Sequence, residues 1–356
     1  MNNKNILITG GAGFVGSQMA LSFKTKYPDY EIYVLDNLKR RGSELNLPRL
    51  KASNIHFIHG DIRNKEDFDG LPKIDCILEA SAEPSVLAGI DTTPDYLINT
   101  NLNGTINCLN FAAKNKSDFI FLSTSRIYPI ETIENIKYTE AETRFEIAEE
   151  QTTKGFSSKG LSEDFPLDNY RSLYGTTKLA SELFIQEYKQ FFGLRTVINR
   201  CGVLTGPWQM GKIDQGVVVL WLAKHFWNQQ LSYIGYGGTG KQVRDMLHTD
   251  DLFRLIDWQM HNLDSINGEI FNVGGGREIS VSLQELTKLS QEVTGNIISI
   301  NEVPENRTAD IRIYITDNSK VTARTGWKPQ ILPKQIITEI FEWMRANEEQ
   351  LVAILK

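Results

Sequence analysis

The chain has 356 residues, 41% of them hydrophobic, and a formal net charge of −6. That length and apolar content suit one large domain or two, and the acidic balance, with basic runs confined to Lys39-Arg40-Arg41, argues against a nucleic-acid partner. Cys76, Cys108 and Cys201 show neither CxxC nor Cys/His ligand spacing, no apolar run is long enough for a bilayer, and the chain opens directly into a strand pattern, so a cytoplasmic protein without metal or membrane contact is expected.

The first element is a short apolar run, Ile6-Leu-Ile8, followed by glycines at 10, 13 and 16. An apolar run of this length suits a strand covered on both faces of a parallel sheet. Gly10 permits a tight turn, Gly13 lets the backbone approach a pyrophosphate, and Gly16 lets the following helix, 14–26, pack on the sheet with its N–H groups facing the phosphates. A second strand, 31–36, ends on Asp36 about 20 residues beyond the turn, where a carboxylate is placed to accept the adenosine ribose hydroxyls. This favours NAD, since a 2′-phosphate would be repelled, although Arg40 and Arg41 could offset the repulsion and admit NADP.

A third strand, 55–58, runs into Gly60-Asp61-Ile62, and a fourth, 75–78, runs into Glu79-Ala-Ser-Ala-Glu83-Pro-Ser85. Residues 93–116 are long enough for a crossover helix, and a fifth strand, 118–122, ends in Ser123-Thr124-Ser125-Arg126. Five strands alternating with helices predict an α/β, Rossmann-type doubly wound parallel sheet. Residues 129–171 break the alternation and read as a long functional loop. A helix containing Tyr174-Gly-Thr-Thr-Lys178 follows, then a sixth strand at 194–199, an irregular stretch to Gly240, a helix from Thr249 and a strand at 269–273. Helices near 281–294, 318–325 and 333–347 complete the chain. The expected organisation is a dinucleotide-binding domain of 1–200 and 247–275, with a smaller discontinuous α+β lobe of 201–246 and 276–356.

Tyr174 and Lys178 are four apart, so on a helix they share a face. The ammonium favours the phenolate by its opposite charge, which makes a base for a sugar hydroxyl, and the lysine can also bond the nicotinamide ribose. Thr124, at the end of the fifth strand, is the hydroxyl expected beside Tyr174.

Taken together, Thr9-Gly-Gly-Ala-Gly-Phe-Val-Gly16, Asp36-Asn-Leu38, Gly60-Asp-Ile62, Asn101 with Gly104-Thr105, Ser123-Thr124, Tyr174 with Lys178, and Arg244-Asp245 before His248 resemble the extended short-chain dehydrogenases/reductases of the nucleotide-sugar epimerase and dehydratase group. The resemblance covers nearly the whole chain. It implies a tightly held NAD and a nucleoside-diphosphate sugar substrate, oxidised to a transient keto-sugar with NADH, in a homodimer or higher homo-oligomer. It adds Phe14, Val15, Asn37, Asp61 and Ile62 to the cofactor site, with Asp61 at the adenine and Asn101 supporting the active-site helix. It implies a substrate set of Ser85, Ser125, Arg126, Arg200, Gln215, Arg244, Arg307 and Asp310, the last three at the pyrophosphate and nucleoside ribose.

Within that group, Asp214-Gln-Gly216, Gly240-Lys-Gln-Val-Arg-Asp245 and Phe271-Asn-Val-Gly-Gly275 are most similar to epimerases that invert C2 of a CDP-linked deoxyhexose. A UDP- or dTDP-sugar 4-epimerase or 4,6-dehydratase is the alternative, and a non-catalytic dinucleotide-sensing regulator is the alternative of another class. Three departures stand out. Glu79-Ala-Ser-Ala replaces a common His-x-Ala-Ala. Arg200-Cys-Gly-Val203-Leu-Thr-Gly206-Pro207 lacks a usual asparagine. Ser125-Arg126 follows the threonine where dehydratases of the group carry Asp-Glu, which weakens the dehydratase reading.

Overall fold

Strand β1 (Asn5–Thr9) buries Ile6, Leu7 and Ile8 completely, as a strand with both faces covered must. The structure is a computed structural model that describes residues 3–90, 93–211 and 216–356, so Gln215 and Asp214 lie outside the described residues. Six further strands join β1: β2 (Glu31–Asp36), β3 (His56–His59), β4 (Cys76–Glu79), β5 (Asp118–Thr124), β6 (Thr196–Cys201) and β7 (Glu269–Val273). Their order is β7-β6-β5-β4-β1-β2-β3. β1 pairs in parallel with both β2 and β4, β2 with β3, and β4 with β5. The chain thus runs outward through β2 and β3, then crosses back to β4 on the other side of β1. That reversal opens a crevice at the carboxyl ends of β1 and β4, the place where doubly wound sheets bind ligands.

Three helices matter for the site: α1 (Phe14–Lys26), α2 (Gly104–Asn115) and α3 (Leu173–Phe192). Cys108, Leu109 and Ala112 of α2 and Ile185 of α3 pack with Leu7, Ile77, Phe119 and Phe121 of the sheet in one apolar cluster. The helix expected over 93–116 is interrupted. Asp95–Ile98 is α-helical, Asn99–Asn103 is a π-helical turn, and α2 follows. In the π turn the Asn101 carbonyl accepts from the hydroxyls of Thr105 (2.8 Å) and Ser181 (2.9 Å), so the widened turn is tied down by side chains.

The chain divides into two units. The first is Met1–Ile127, Leu173–Arg200 and Phe253–Phe271; the second is Tyr128–Ser172, Cys201–Leu252 and Asn272–Lys356. The main difference from the expected organisation is residues 128–172, which belong to the second unit. They hold a short helix, Ile130–Glu134, and two hairpins, Tyr138–Glu140 with Phe145–Ile147 and Phe156–Ser157 with Gly160–Leu161. Backbone bonds from Phe145 to the Lys241 carbonyl (2.9 Å) and from Leu161 to the Ile315 carbonyl (2.8 Å) fasten the hairpins there. The second unit has its own sheet, in which Val243–His248 pairs with Val203–Thr205, Ser280–Ser282 and Ile313–Tyr314. Its helix Leu283–Thr294 starts at a capping box of Ser282 and Glu285, two residues later than the sequence pattern suggests. Among the described residues no helix is long and apolar enough to cross a membrane.

Candidate active site

Beyond Thr9 the backbone turns at Gly10, whose φ of +65° strains any side chain. A Cβ at Gly16 would fall 2.2 Å from the Gly10 carbonyl oxygen, so only glycine lets α1 begin this close to the turn. A Cβ at Gly13 would meet nothing but that same carbonyl, at 3.1 Å, and its outer side is open. Gly13 caps α1 without a side-chain hydrogen bond, and the first turn, which includes Phe14 and Val15, carries no acidic residue. The positive end of the helix dipole and its N–H groups therefore face a cradle suited to a pyrophosphate.

Asp36 closes β2 beside that cradle. Its carboxylate accepts from the Ala12 amide (3.1 Å) and the Leu38 amide (2.8 Å). Burial raises its pKa, with those backbone bonds opposing. Each carboxylate oxygen has two lone pairs, so both can still accept from a ribose diol. The residues present fit a dinucleotide.

Asn37 and Asp61 meet at the ends of β2 and β3, where the Asn37 amide donates to Asp61 at 2.8 Å. Arg63 grips the same carboxylate through Nε and Nη2, at 2.9 and 2.6 Å. Burial alone would raise the Asp61 pKa, but Arg63 and Asn37 outweigh it and hold the carboxyl at about 2. Asp61 thus serves first as a clamp for Arg63 and Asn37 rather than as an open acceptor for adenine. Ile62 is buried against Gly104 at the start of α2. Asn101 is fully buried and touches protein on every polar atom. Its amide oxygen accepts from the Glu83 N–H (2.7 Å), and its amide nitrogen donates to the Glu83 carbonyl (3.0 Å) and the Thr177 hydroxyl (3.2 Å). It fastens the loop after β4 to α3.

Tyr174 and Lys178 lie on the buried face of α3 with Thr177, Ser181, Glu182 and Ile185. Thr124 ends β5 and accepts the Arg126 N–H at 3.2 Å, which leaves its own hydroxyl proton to donate elsewhere. Ser125 and Arg126 begin a single 3₁₀ turn after that strand. Ser85 lies in the loop after β4, its hydroxyl accepting the Leu87 N–H at 3.2 Å.

In the second unit, Arg244 of the strand Val243–His248 forms an ion pair with Asp310 at 2.8 Å and donates to the Val243 carbonyl. Asp310 also bonds back to the exposed Arg307, its N–H meeting the Arg307 carbonyl at 3.3 Å. The three residues expected at the nucleotide are therefore neighbours, though Arg244 and Asp310 hold each other.

Residues 6–274 match the NAD dependent epimerase/dehydratase family. The chain belongs to that family. A CDP-paratose 2-epimerase from Salmonella typhi is 33% identical over 346 residues, covering 95% of this chain and 98% of the relative. A UDP-glucose 4-epimerase from Thermotoga maritima, solved with UDP-glucose, superposes with a TM-score of 0.76 at 26% identity, covering 97% of this chain and 99% of that one. DesIV, a dTDP-glucose 4,6-dehydratase from Streptomyces venezuelae solved with NAD bound, gives 0.77 at 27% identity, covering 97% and 98%. The protein is an NAD-dependent enzyme of this extended short-chain type.

Two carboxylates of this family member were not given roles by sequence reasoning, and both are fully buried at the site. Glu79, the last residue of β4, lies 3.6 Å from the Lys178 ammonium. Glu182, one helical turn beyond Lys178, is paired with Arg200 at 2.8 Å and accepts the Ser123 hydroxyl at 2.5 Å. Arg200, expected at the substrate, is buried and held by Glu182, as a buried guanidinium must be met by a buried carboxylate. The only sequence signal for Glu182 was its spacing of four from Lys178 and eight from Tyr174.

Proposed function

We propose that this enzyme inverts C2 of a CDP-linked deoxyhexose, converting CDP-paratose to CDP-tyvelose through a transient keto-sugar. The observation that carries this reading is the near full-length likeness to CDP-paratose 2-epimerase. Ser125-Arg126, where dehydratases of the group place an acid pair, supports it.

The glycine cradle and Asp36 would hold NAD, with Lys178 at the nicotinamide ribose. When bound, NAD supplies a reversible hydride acceptor. The chain's own residues manage the proton. Tyr174 Oη, as phenolate, takes the proton from the ring hydroxyl while the carbon is oxidised. Thr124 donates its hydroxyl proton to the oxygen on which charge develops, and Lys178 favours the phenolate by its charge. After the keto-sugar turns over, Tyr174 returns the proton and the configuration is inverted. The test is incubation with CDP-paratose, UDP-glucose and dTDP-glucose separately, with products resolved by NMR. Conversion of the CDP-sugar to its C2 epimer is expected. Turnover of UDP-glucose at C4, or of dTDP-glucose to a 4-keto-6-deoxy product, with the CDP-sugar untouched, would overturn the assignment.

A further inference from the structure

Lys178 is 1% exposed and Glu79 is completely buried. A lysine this enclosed ordinarily loses its proton, because burial disfavours the charged form. Its surroundings come from five elements. Glu79 approaches from β4 at 3.6 Å, and the Phe121 ring of β5 lies under the ammonium with its centroid at 3.8 Å. Thr9 of β1 is the register partner of Glu79 and contributes a buried hydroxyl. Cys108 of α2 is a fully buried thiol, pushed well up by burial and by the Glu79 charge, so it stays neutral. On α3 itself the next charge is Glu182, which is already matched by Arg200. Glu79 is thus a buried counter-charge held against Lys178. Burial pushes the Glu79 carboxyl up, and the Lys178 charge opposes that shift.

We propose that Glu79 is a positioning residue for the reaction, acting through Lys178: its carboxylate keeps the Lys178 ammonium charged and fixed one helical turn from Tyr174. This rests on the reading of Tyr174 and Lys178 given above. An opposite charge this close is what lets a sealed lysine stay cationic at alkaline pH. Its placement also suits the role, since the backbone that follows it, at Ala80 and Ser81, is what a Cβ on Gly10 would strike at 2.9 Å. The pair therefore sits directly behind the cofactor turn.

Two measurements on the NAD-loaded full-length enzyme test this. The first is the pH profile of kcat/KM with the CDP-sugar for wild type, Glu79→Gln and Glu79→Asp. Wild type is expected to rise to a plateau and hold it within about twofold to pH 9. Glu79→Gln should gain a falling alkaline limb of about tenfold per pH unit as Lys178 loses its proton, and Glu79→Asp should restore the plateau. A uniform drop at every pH with no change of shape, or equal loss of the plateau in both variants, would mean that Glu79 only packs. The second measurement is NMR titration of the Lys178 side chain in isotopically labelled protein, assigned by its loss in Lys178→Arg. The wild-type ammonium should persist to pH 10, and the Glu79→Gln lysine should titrate between pH 6 and pH 9. Titration of wild type below pH 9, or an unshifted lysine in Glu79→Gln, would overturn the proposal. If Glu79→Gln does not fold, the wild-type titration and Glu79→Asp still decide. If no nucleotide sugar is turned over, the functional reading fails, while the NMR result continues to judge Glu79 alone.

Discussion

Arg200 Nη2 lies 2.8 Å from Glu182 Oε2, with both side chains buried and the Ser123 hydroxyl donating to the same carboxylate. The pair ties β6 to α3 immediately beside Thr124. Removing one partner leaves an uncompensated buried charge, so Glu182→Ala should cost about 3–5 kcal/mol, whereas replacing both with Met and Leu should come close to neutral. Urea denaturation of the single and double variants measures this. If the single variant is as stable as wild type, the pair has no structural role and Arg200 returns to consideration as a substrate contact.

The catalytic assignments predict different losses for two neighbours on α3. Tyr174→Phe and Lys178→Ala should each lower turnover by about 10²–10⁴-fold, the usual range for general-base help. Only Lys178→Ala should also loosen NAD, because it alone would remove the ribose contact proposed above. Calorimetric titration with NAD separates the two, and equal weakening in both variants counts against the roles.

At Asp36 the charge is expected to choose the cofactor. Asp36→Asn should weaken NAD and narrow its preference over NADP, since the amide no longer repels a 2′-phosphate. Dissociation constants for both cofactors are the measurement. A wild type that already prefers NADP would shift the decision to Arg40 and Arg41.

The placement of these residues was legible because it follows from local spacing. A glycine turn, a carboxylate at the next strand end and a Tyr/Lys pair one helical turn apart need only neighbours in sequence. The charged pairs beneath them were not legible in the same way. Glu79 meets Lys178 across 99 positions, and Arg200 meets Glu182 across a strand and a helix, so nothing local marks either contact. Residues 129–171 were hidden for another reason. Strands of two or three residues, as in Phe156–Ser157 and Phe145–Ile147, are too short to show alternation, and partners as distant as Lys241 and Ile315 hold them.

Asp61 gives the fold a pH dependence of definite sign. Its carboxyl is held at about 2 in the folded chain, against about 4 when unfolded. A carboxyl lowered on folding contributes stability above its unfolded pKa and loses it as the pH falls through the folded one. That contribution is about 2 kcal/mol at neutral pH. The stability gap between wild type and Asp61→Asn should therefore be full at pH 7 and shrink between pH 5 and pH 3. A gap that stays constant across that range would show that Arg63 does not depend on the Asp61 charge.

The last prediction separates hydride removal from carbon deprotonation. Tyr174 and Lys178 suit oxidation of an alcohol, in which the proton that Tyr174 takes comes from oxygen and the hydrogen on carbon never becomes acidic. After Thr124 the chain reads Ser125-Arg126, so the pair of acid and base that elimination would need directly after the threonine is missing. If one carbon is oxidised and reduced again within a single turnover, its hydrogen is not exposed to water, and no net NAD is consumed. Turnover in deuterated water should then give an epimerised product with no deuterium at the inverted carbon, read by NMR or mass spectrometry. An enolising epimerase abstracts that hydrogen as a proton, which a carboxylate or phenolate shares with solvent before returning it. Deuterium at the inverted carbon would thus reassign Tyr174 from an oxygen base to a carbon base, and the oxidation mechanism would have to be abandoned.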